Sequence, residues 1–253
     1  IGFGFAPEGI ENNELIYELL TDIGWSNKKI DLNSWLRSYC IQRYGSYPLK
    51  MKEAYQYFLL SCYGTFTDHP RFRYQLSADG KEAGTVNNNP LFFKGVKCFL
   101  SCSSKLEGSE LYRNDAIELA SQYLSLDADS LIKQGVNMKG ESRYRELDEA
   151  WSILDEVDRI LESDPNDRLE RWVNYAKSFG NTAEEKHYYA EDARRIITTW
   201  GPGISDYSAR MWSGLISSYY VQRMKMFYYA EQNHKKFDLS KWEDNWVETG
   251  TPK

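Results

Sequence analysis

Basic clusters, long apolar runs and familiar catalytic motifs are all absent from this sequence of 253 residues. The formal net charge is −6 and no run of Lys and Arg forms a patch, which argues against a nucleic-acid or anionic-membrane partner. No apolar run is long enough to span a bilayer, and no secretory signal or lipidation motif is present. Glycine-rich phosphate loops, zinc-protease helices and serine-hydrolase elbows are also missing, so none of those common sites is indicated.

Histidine and cysteine are scarce. The residues concerned are His69, His187, His234, Cys40, Cys62, Cys98 and Cys102. Their spacing supplies no set of metal ligands and no disulfide framework, so we expect neither a metal nor a cofactor. No Asn-X-Ser/Thr sequon occurs, which disfavours a heavily glycosylated eukaryotic protein. The chain starts without methionine, so we expect it to be a piece of a longer protein, and the missing signal says nothing about that parent.

Helical periodicity, by contrast, runs along almost the whole chain. Apolar residues recur at three- and four-residue spacing, and breaks containing Gly or Pro separate the segments. Asp31 and Thr182 are placed to cap helices, and Gly45 to end one. The sequence therefore predicts an all-α fold, an array of roughly eight to nine antiparallel helices in a single domain over residues 1–253.

Three features concern the irregular parts of the chain. Residues 64–90 are rich in Gly, Asp, Asn and Pro and keep no apolar face, so we expect a long loop there. The last long helix is expected to begin near Ser205 or Asp206. The tail from Asn233 is polar with scattered tryptophans, and we expect it to form an edge segment.

The stretch around Glu8 could hold a carboxylate in one place. Pro7 fixes its own φ and restricts the residue before it, and Gly9 permits backbone angles that other residues avoid. Such a constrained turn suits a catalytic carboxylate. Considered alone, however, the local pattern favours an ordinary loop-to-helix junction with a solvated glutamate.

A second unusual turn brings together an indole, an aliphatic side chain and a phenol. In this turn Trp200 could stack on a sugar ring and Tyr207 could form a hydrogen bond with it, with Ile204 between them. The alternative is a rigid corner with Trp200 packed inside, which the residues alone favour. The 15% aromatic content fits both core filling and ligand binding.

Five stretches together carry a family resemblance. They are FGFAPEGI at residues 3–10, RYG at 43–45, LESD at 161–164, AEDAR at 190–194 and TWGPGISDY at 199–207. In combination they resemble the all-helical C-terminal region of the α-N-acetylglucosaminidases, glycoside hydrolase family 89. The resemblance covers nearly the whole chain in order. Residues 64–110 match poorly, and the turn after Pro202 is shorter than the family pattern.

The resemblance implies an activity and a role for particular residues. Family members combine a small α/β domain, a central (β/α) barrel and this helical domain, and release terminal α-linked N-acetylglucosamine with retention. By resemblance, Glu8 is the catalytic nucleophile, and the acid/base glutamate belongs to the barrel, outside this chain. Trp200, Ile204 and Tyr207 are implied to line the sugar pocket, and Arg43 to have a supporting structural role.

The same resemblance implies partners and a compartment. Residues 1–10 would be the turn that enters from the missing catalytic barrel of the parent chain, and the substrate would be a glycan with terminal α-N-acetylglucosamine. The chain alone is expected to be inactive, and its uncovered apolar surface to favour a homodimer. A bacterial parent would be periplasmic or secreted, and a eukaryotic one lysosomal.

Two other hypotheses stay open at this point. The chain could be a non-catalytic helical module that binds carbohydrate or a protein partner, in which Glu8 is dispensable. It could also be a purely structural helical domain whose aromatic residues fill the core. Loss or retention of activity on removing the Glu8 carboxylate separates the first hypothesis from these two.

Overall fold

The computed structural model describes residues 2, 4, 13–63, 72–81, 90–201 and 203–251. These residues contain twelve α-helices and no β-strand beyond one isolated bridge, so the prediction of an all-α fold is confirmed. Two of the helices have only four residues, which is too short for apolar periodicity to reveal them. This partly explains why the structure has more helices than the expected eight or nine. None of the described helices combines the length and apolar character needed to cross a membrane.

The described helices follow one another along the chain in a fixed order. They are α1 (Glu14–Trp25), α2 (Leu32–Tyr44), α3 (Leu49–Leu59), α4 (Arg73–Leu76), α5 (Pro90–Leu100), α6 (Ser103–Leu106), α7 (Glu110–Asn137), α8 (Glu141–Glu162), α9 (Leu169–Lys177), α10 (Ala183–Ile196), α11 (Val221–Gln232) and α12 (Leu239–Thr249). A 3₁₀ turn at Pro165–Asp167 precedes α9, and a π-helical turn at Ile216–Tyr220 leads into α11.

The contacts divide the chain into two compact units. Unit 1 combines Ile1–Phe66 with Asn89–Ala116, and unit 2 combines Thr67–Asn88 with Ile117–Lys253. The assignment of residues 1–253 to a single domain stays a prediction, as does the antiparallel arrangement of the helices.

The predicted helix ends are confirmed. The side chain of Asp31 accepts a hydrogen bond from the backbone N of Ser34 at 2.9 Å, and Thr182 Oγ1 accepts one from the backbone N of Glu185 at 3.1 Å. Gly45 follows α2 with a φ of 84°. Glycine adopts this left-handed conformation without the steric cost that a Cβ atom brings.

Aromatic rings fill the core of unit 1. The ring of Tyr44 lies edge-on to those of Phe99 and Tyr112, with centroid distances of 5.8 and 5.9 Å. Phe99 and Tyr112 are themselves stacked at 5.0 Å. Each such pair contributes about 0.5–1.5 kcal/mol beyond the burial of its area. Core filling therefore accounts for part of the high aromatic content.

Gly95 allows α3 and α5 to pack closely in unit 1. A Cβ atom here would lie 2.6 and 2.7 Å from two ring atoms of Phe58 and 3.3 Å from the carbonyl oxygen of Ala54. We expect Gly95→Ala to lower the free energy of unfolding by about 1–2 kcal/mol, because overpacking outweighs the higher helix propensity of alanine. Urea unfolding measures the change. The control is Gly108→Ala, whose Cβ would meet no atom within 4 Å, and equal midpoints for the two variants would contradict the expectation.

The C-terminal residues form a packed helix in unit 2, so the expectation of an edge segment was wrong. Asp238 caps α12 by accepting a hydrogen bond from the backbone N of Lys241. Trp242 and Trp246 are buried, and the ring of Trp246 lies 4.7 Å from that of Tyr219. The two tryptophans are four residues apart and therefore share one helical face, which the polar residues between them conceal in the sequence.

Part of the stretch expected to be a long loop is also packed in unit 2. Residues 72–81 include α4, in which Tyr74 is fully buried. The backbone N of Arg73 donates a bifurcated hydrogen bond to the two carboxylate oxygens of Asp129 on α7, at 2.8 and 2.9 Å. Burial raises the pKa of Asp129 to about 7. The loop expectation is wrong for these residues. Residues 64–71 and 82–89 of the same stretch lie outside the described part of the chain.

Candidate functional site

The turn expected to face a sugar follows the end of α10 in unit 2. The backbone N of Trp200 donates to the carbonyl oxygen of Arg195, and the backbone N of Asp206 to that of Thr198, both at 2.7 Å. Trp200 has a φ of 41° and Asp206 one of 60°. This left-handed conformation costs a non-glycine residue about 1–2 kcal/mol, so surrounding contacts must hold both residues in place.

All three residues expected to bind the sugar are partly exposed on this turn. Trp200 and Ile204 are each 42% exposed and Tyr207 is 38% exposed. The rings of Trp200 and Tyr207 meet edge to face, with centroids 5.6 Å apart. The alternative that packs Trp200 inside a corner is therefore wrong. The structure brings Trp200 and Tyr207 together, and their role in sugar binding stays a prediction.

A buried ion pair holds the turn on its interior side. Asp206 is only 3% exposed, and its Oδ2 accepts a hydrogen bond from Arg223 Nη1 on α11 at 2.9 Å. The same Nη1 donates to Glu243 Oε1 on α12 at 2.7 Å. Arg223 Nη2 donates to the backbone carbonyl of Gln75 at 3.3 Å. One guanidinium thus connects the turn, α11, α12 and the end of α4.

The surroundings keep Arg223 charged. Burial alone would lower the pKa of Arg223, but Tyr219, Asp206 and Glu243 raise it above its ordinary value. The guanidinium also lies over the ring of Tyr219 at 4.7 Å, a favourable cation–π geometry. Tyr219 donates its hydroxyl proton to Glu243 Oε1 at 3.1 Å, and burial raises the pKa of this tyrosine well above its usual range. The cluster therefore places one guanidinium and two carboxyl groups inside the protein.

The sequence analysis missed Arg223 and Glu243. The available signal was a charge at positions where the helical pattern places apolar residues. Arg223 is four residues after Tyr219 on a buried face, and Glu243 directly follows Trp242, which is also buried. Charged side chains at such positions are rarely buried unless paired, so each pointed to a partner.

The last long helix begins later than expected. The interpretation that it starts near Ser205 or Asp206 was wrong, because helical structure begins only after Gly214, whose φ of 82° interrupts a helix. Asp158 on α8 caps this later start. Its Oδ1 accepts hydrogen bonds from the backbone N atoms of Gly214 at 2.8 Å and Ser217 at 2.9 Å. The residues before Gly214 are thereby left to form the turn.

Arg43 makes a bidentate ion pair within unit 1. Its Nε donates to Asp115 Oδ2 at 2.7 Å and its Nη2 to Asp115 Oδ1 at 2.6 Å. The hydroxyl of Tyr44 also donates to Asp115 Oδ2, at 2.5 Å, and lies 2.9 Å from the hydroxyl of Tyr55. This geometry is typical of a structural ion pair, and the supporting role of Arg43 in an enzyme stays a prediction.

Glu8, the expected nucleophile, lies outside the described residues. Its assignment therefore rests on the sequence alone and stays a prediction.

The chain matches a known family along most of its length. The model of the family described as the alpha-N-acetylglucosaminidase (NAGLU) C-terminal domain matches residues 35–252. Human alpha-N-acetylglucosaminidase is 26% identical over 251 residues, and the match covers 90% of this chain and 32% of the human protein.

Solved structures from Clostridium perfringens share the fold. A family 89 glycoside hydrolase in complex with PUGNAc is 24% identical with a TM-score of 0.85. A substituted form in complex with its substrate GlcNAc-α-1,4-galactose is 23% identical with a TM-score of 0.83. Both matches cover 94% of this chain and 30% of the other. The chain thus spans about a third of the length of the relatives it matches.

Proposed function

Because this chain belongs to the family of α-N-acetylglucosaminidase C-terminal domains, we propose that it is the helical part of a retaining exo-α-N-acetylglucosaminidase. Such an enzyme removes terminal α-linked N-acetylglucosamine from glycans. The observation that carries the proposal is the exposed Trp200–Tyr207 pair on a turn anchored by a buried ion pair.

The exposed pair supplies the two kinds of contact that a sugar needs. A pyranose has apolar C–H faces that pack against an aromatic ring, and a rim of hydroxyl groups that needs hydrogen-bond partners. The indole of Trp200 provides the ring, and the phenol of Tyr207 provides a group that can both donate and accept. Ile204 adds apolar surface between them along the chain.

In the proposed reaction this chain contributes one of two carboxylates. Glu8 attacks the anomeric carbon and forms a glycosyl-enzyme ester, while an acid/base glutamate on the barrel protonates the leaving oxygen. The same glutamate then deprotonates the water that hydrolyses the ester. Two inversions at one carbon give net retention, and the two carboxyl groups must lie about 5–5.5 Å apart. The chain alone therefore holds half of the catalytic pair.

The sugar-binding part of the proposal predicts the effect of removing the indole. In the full-length protein we expect Trp200→Ala to lower kcat/KM for 4-nitrophenyl α-N-acetylglucosaminide about tenfold, since a lost stacking contact of about 1.4 kcal/mol is a factor of ten. The melting temperature should stay near that of the wild type, because much of the side chain is exposed.

The matched control for Trp200→Ala is Trp25→Ala. Trp25 is 83% exposed and belongs to unit 1. Its loss should leave kcat/KM unchanged. Equal effects of the two substitutions would show that Trp200 makes no special contact with the sugar.

The proposed enzyme also needs the rest of its chain as a partner. Helix α1 leaves Ile16, Leu20 and Ile23 exposed on one face, which supports docking against another surface such as the upstream barrel. If the chain is isolated, the same surface favours a homodimer. We place the enzyme where such glycans occur, in the periplasm or outside a bacterial cell, or in the lysosome of a eukaryotic one.

A further inference from the structure

We propose that Arg223 is a positioning residue that sets the sugar-facing turn through Asp206, an inference that rests on the proposed function. Arg223 is 1% exposed and therefore cannot touch a substrate itself. It reaches the turn through the 2.9 Å hydrogen bond from its Nη1 to Asp206 Oδ2.

Asp206 transmits the position of Arg223 directly to Tyr207. The two residues are neighbours in the chain, so the peptide unit that they share moves with the Asp206 backbone. That backbone is held at a φ of 60°, with its N bonded to the carbonyl oxygen of Thr198 at 2.7 Å. Aspartate adopts this left-handed conformation more readily than most residues, and its surrounding contacts select it here. The ion pair with Arg223 is a charged contact that does this.

The guanidinium of Arg223 is the group that holds Asp206 and Glu243 together. Without it the carboxylates of Asp206 and Glu243 would each lose a buried charge-assisted hydrogen bond. A buried carboxylate that loses a hydrogen-bond donor is costly, so the turn would move to find another partner or water. A lysine keeps the positive charge but presents no planar fork, and so cannot hold Asp206, Glu243 and the Gln75 carbonyl in the same geometry.

The proposal predicts a binding defect from a conservative substitution. In the full-length protein we expect Arg223→Lys to raise KM for 4-nitrophenyl α-N-acetylglucosaminide about tenfold and to change kcat less, because the turn binds the sugar and does not perform the chemistry. The matched control is Arg143→Lys. Arg143 is likewise ion-paired with a glutamate, Glu231 at 2.7 Å, and lies 5.8 Å from the ring of Tyr228, but among the described residues it makes no hydrogen bond to the turn.

A double-mutant cycle separates positioning from a general loss of structure. If Arg223 acts through Tyr207, Arg223→Lys combined with Tyr207→Phe should raise KM little more than either substitution alone. If the two residues are independent, the two fold-changes multiply. Multiplying effects, or an unchanged KM for Arg223→Lys, would overturn the proposal.

A second variant keeps the test valid if Arg223→Lys fails to fold. Asp206→Asn removes the charge and keeps a residue type that tolerates the left-handed conformation, so it should show the same rise in KM and the same non-additivity with Tyr207→Phe. Normal KM for a folded Asp206→Asn protein would refute the positioning role.

A spectroscopic measurement distinguishes failure of this inference from failure of the proposed function. In protein labelled with 5-fluorotryptophan, Trp200→Phe identifies the ¹⁹F resonance of Trp200, which lies against the Tyr207 ring. We expect Asp206→Asn to shift that resonance and to leave that of Trp25 in place. A wild type without hydrolysis would refute the proposed function alone, while an unshifted Trp200 resonance would refute the positioning role whatever the activity.

Discussion

Replacing Glu8 by glutamine in the full-length protein should lower kcat for 4-nitrophenyl α-N-acetylglucosaminide by about a thousandfold or more, as expected when a covalent nucleophile is lost. An amide oxygen is a far weaker nucleophile than a carboxylate and forms no stable ester with the sugar. The change is nearly isosteric, so the melting temperature should stay near the wild-type value. Release of 4-nitrophenol at saturating substrate measures the effect.

Two controls sharpen the Glu8 experiment. Glu11→Gln removes a carboxylate three positions along the same stretch and should leave kcat near normal. The chain of 253 residues alone should show no turnover, since the proposed acid/base glutamate belongs to the barrel. Near-normal turnover by Glu8→Gln would mean that the nucleophile is wrongly assigned and that this domain is a scaffold or binding module.

Removing Asp115 should have the largest effect on stability. We expect Asp115→Ala to lower the free energy of unfolding by about 3–5 kcal/mol, because it leaves the mostly buried Arg43 guanidinium without its carboxylate. The hydroxyl of Tyr44 loses its acceptor in the same step. Thermal or urea unfolding of the variant measures the loss.

A surface pair and a double substitution test this reasoning about Asp115. Glu156 pairs with Arg159 on the exposed face of α8, so Glu156→Ala should cost less than about 1 kcal/mol. Arg43→Met combined with Asp115→Leu should recover much of the lost stability, since no buried charge then lacks a partner. If Asp115→Ala costs no more than Glu156→Ala, the Arg43 pair does not stabilise unit 1.

Local patterns predicted the helices and the unusual turn, because those features depend on neighbours in the sequence. Apolar spacing predicted α2 and α8, and the capping residues Asp31 and Thr182 marked two helix starts. The Trp200–Tyr207 turn also stood out, because it interrupts a regular helical pattern. Periodicity also explains why α12 was not predicted, because polar residues separate its two buried tryptophans.

Contacts between distant residues were beyond the reach of the sequence. Arg223 meets Asp206 and Glu243 across 17 and 20 residues, and Asp129 reaches the start of α4 across 56. Nothing in the local pattern of one chain specifies such a pairing. The sequence shows that Arg223 is a charged residue on an apolar helical face. Which residue pairs with Arg223, however, depends on how the helices pack. The proposed role of Glu8, by contrast, rests on sequence resemblance alone.

The sharing of Arg223 between two acids also sets an order of events during synthesis. A chain leaves the ribosome from its N-terminal end, and its parts fold as they emerge. Glu243 emerges 20 residues after Arg223, so there is an interval in which Arg223 and Asp206 are available to each other and the second acid is not. The Tyr219 ring lacks Trp246 during the same interval. The turn thus gains the last of these buried contacts only after α12 has emerged, and a stop codon before Glu243 would leave Arg223 without its second acid.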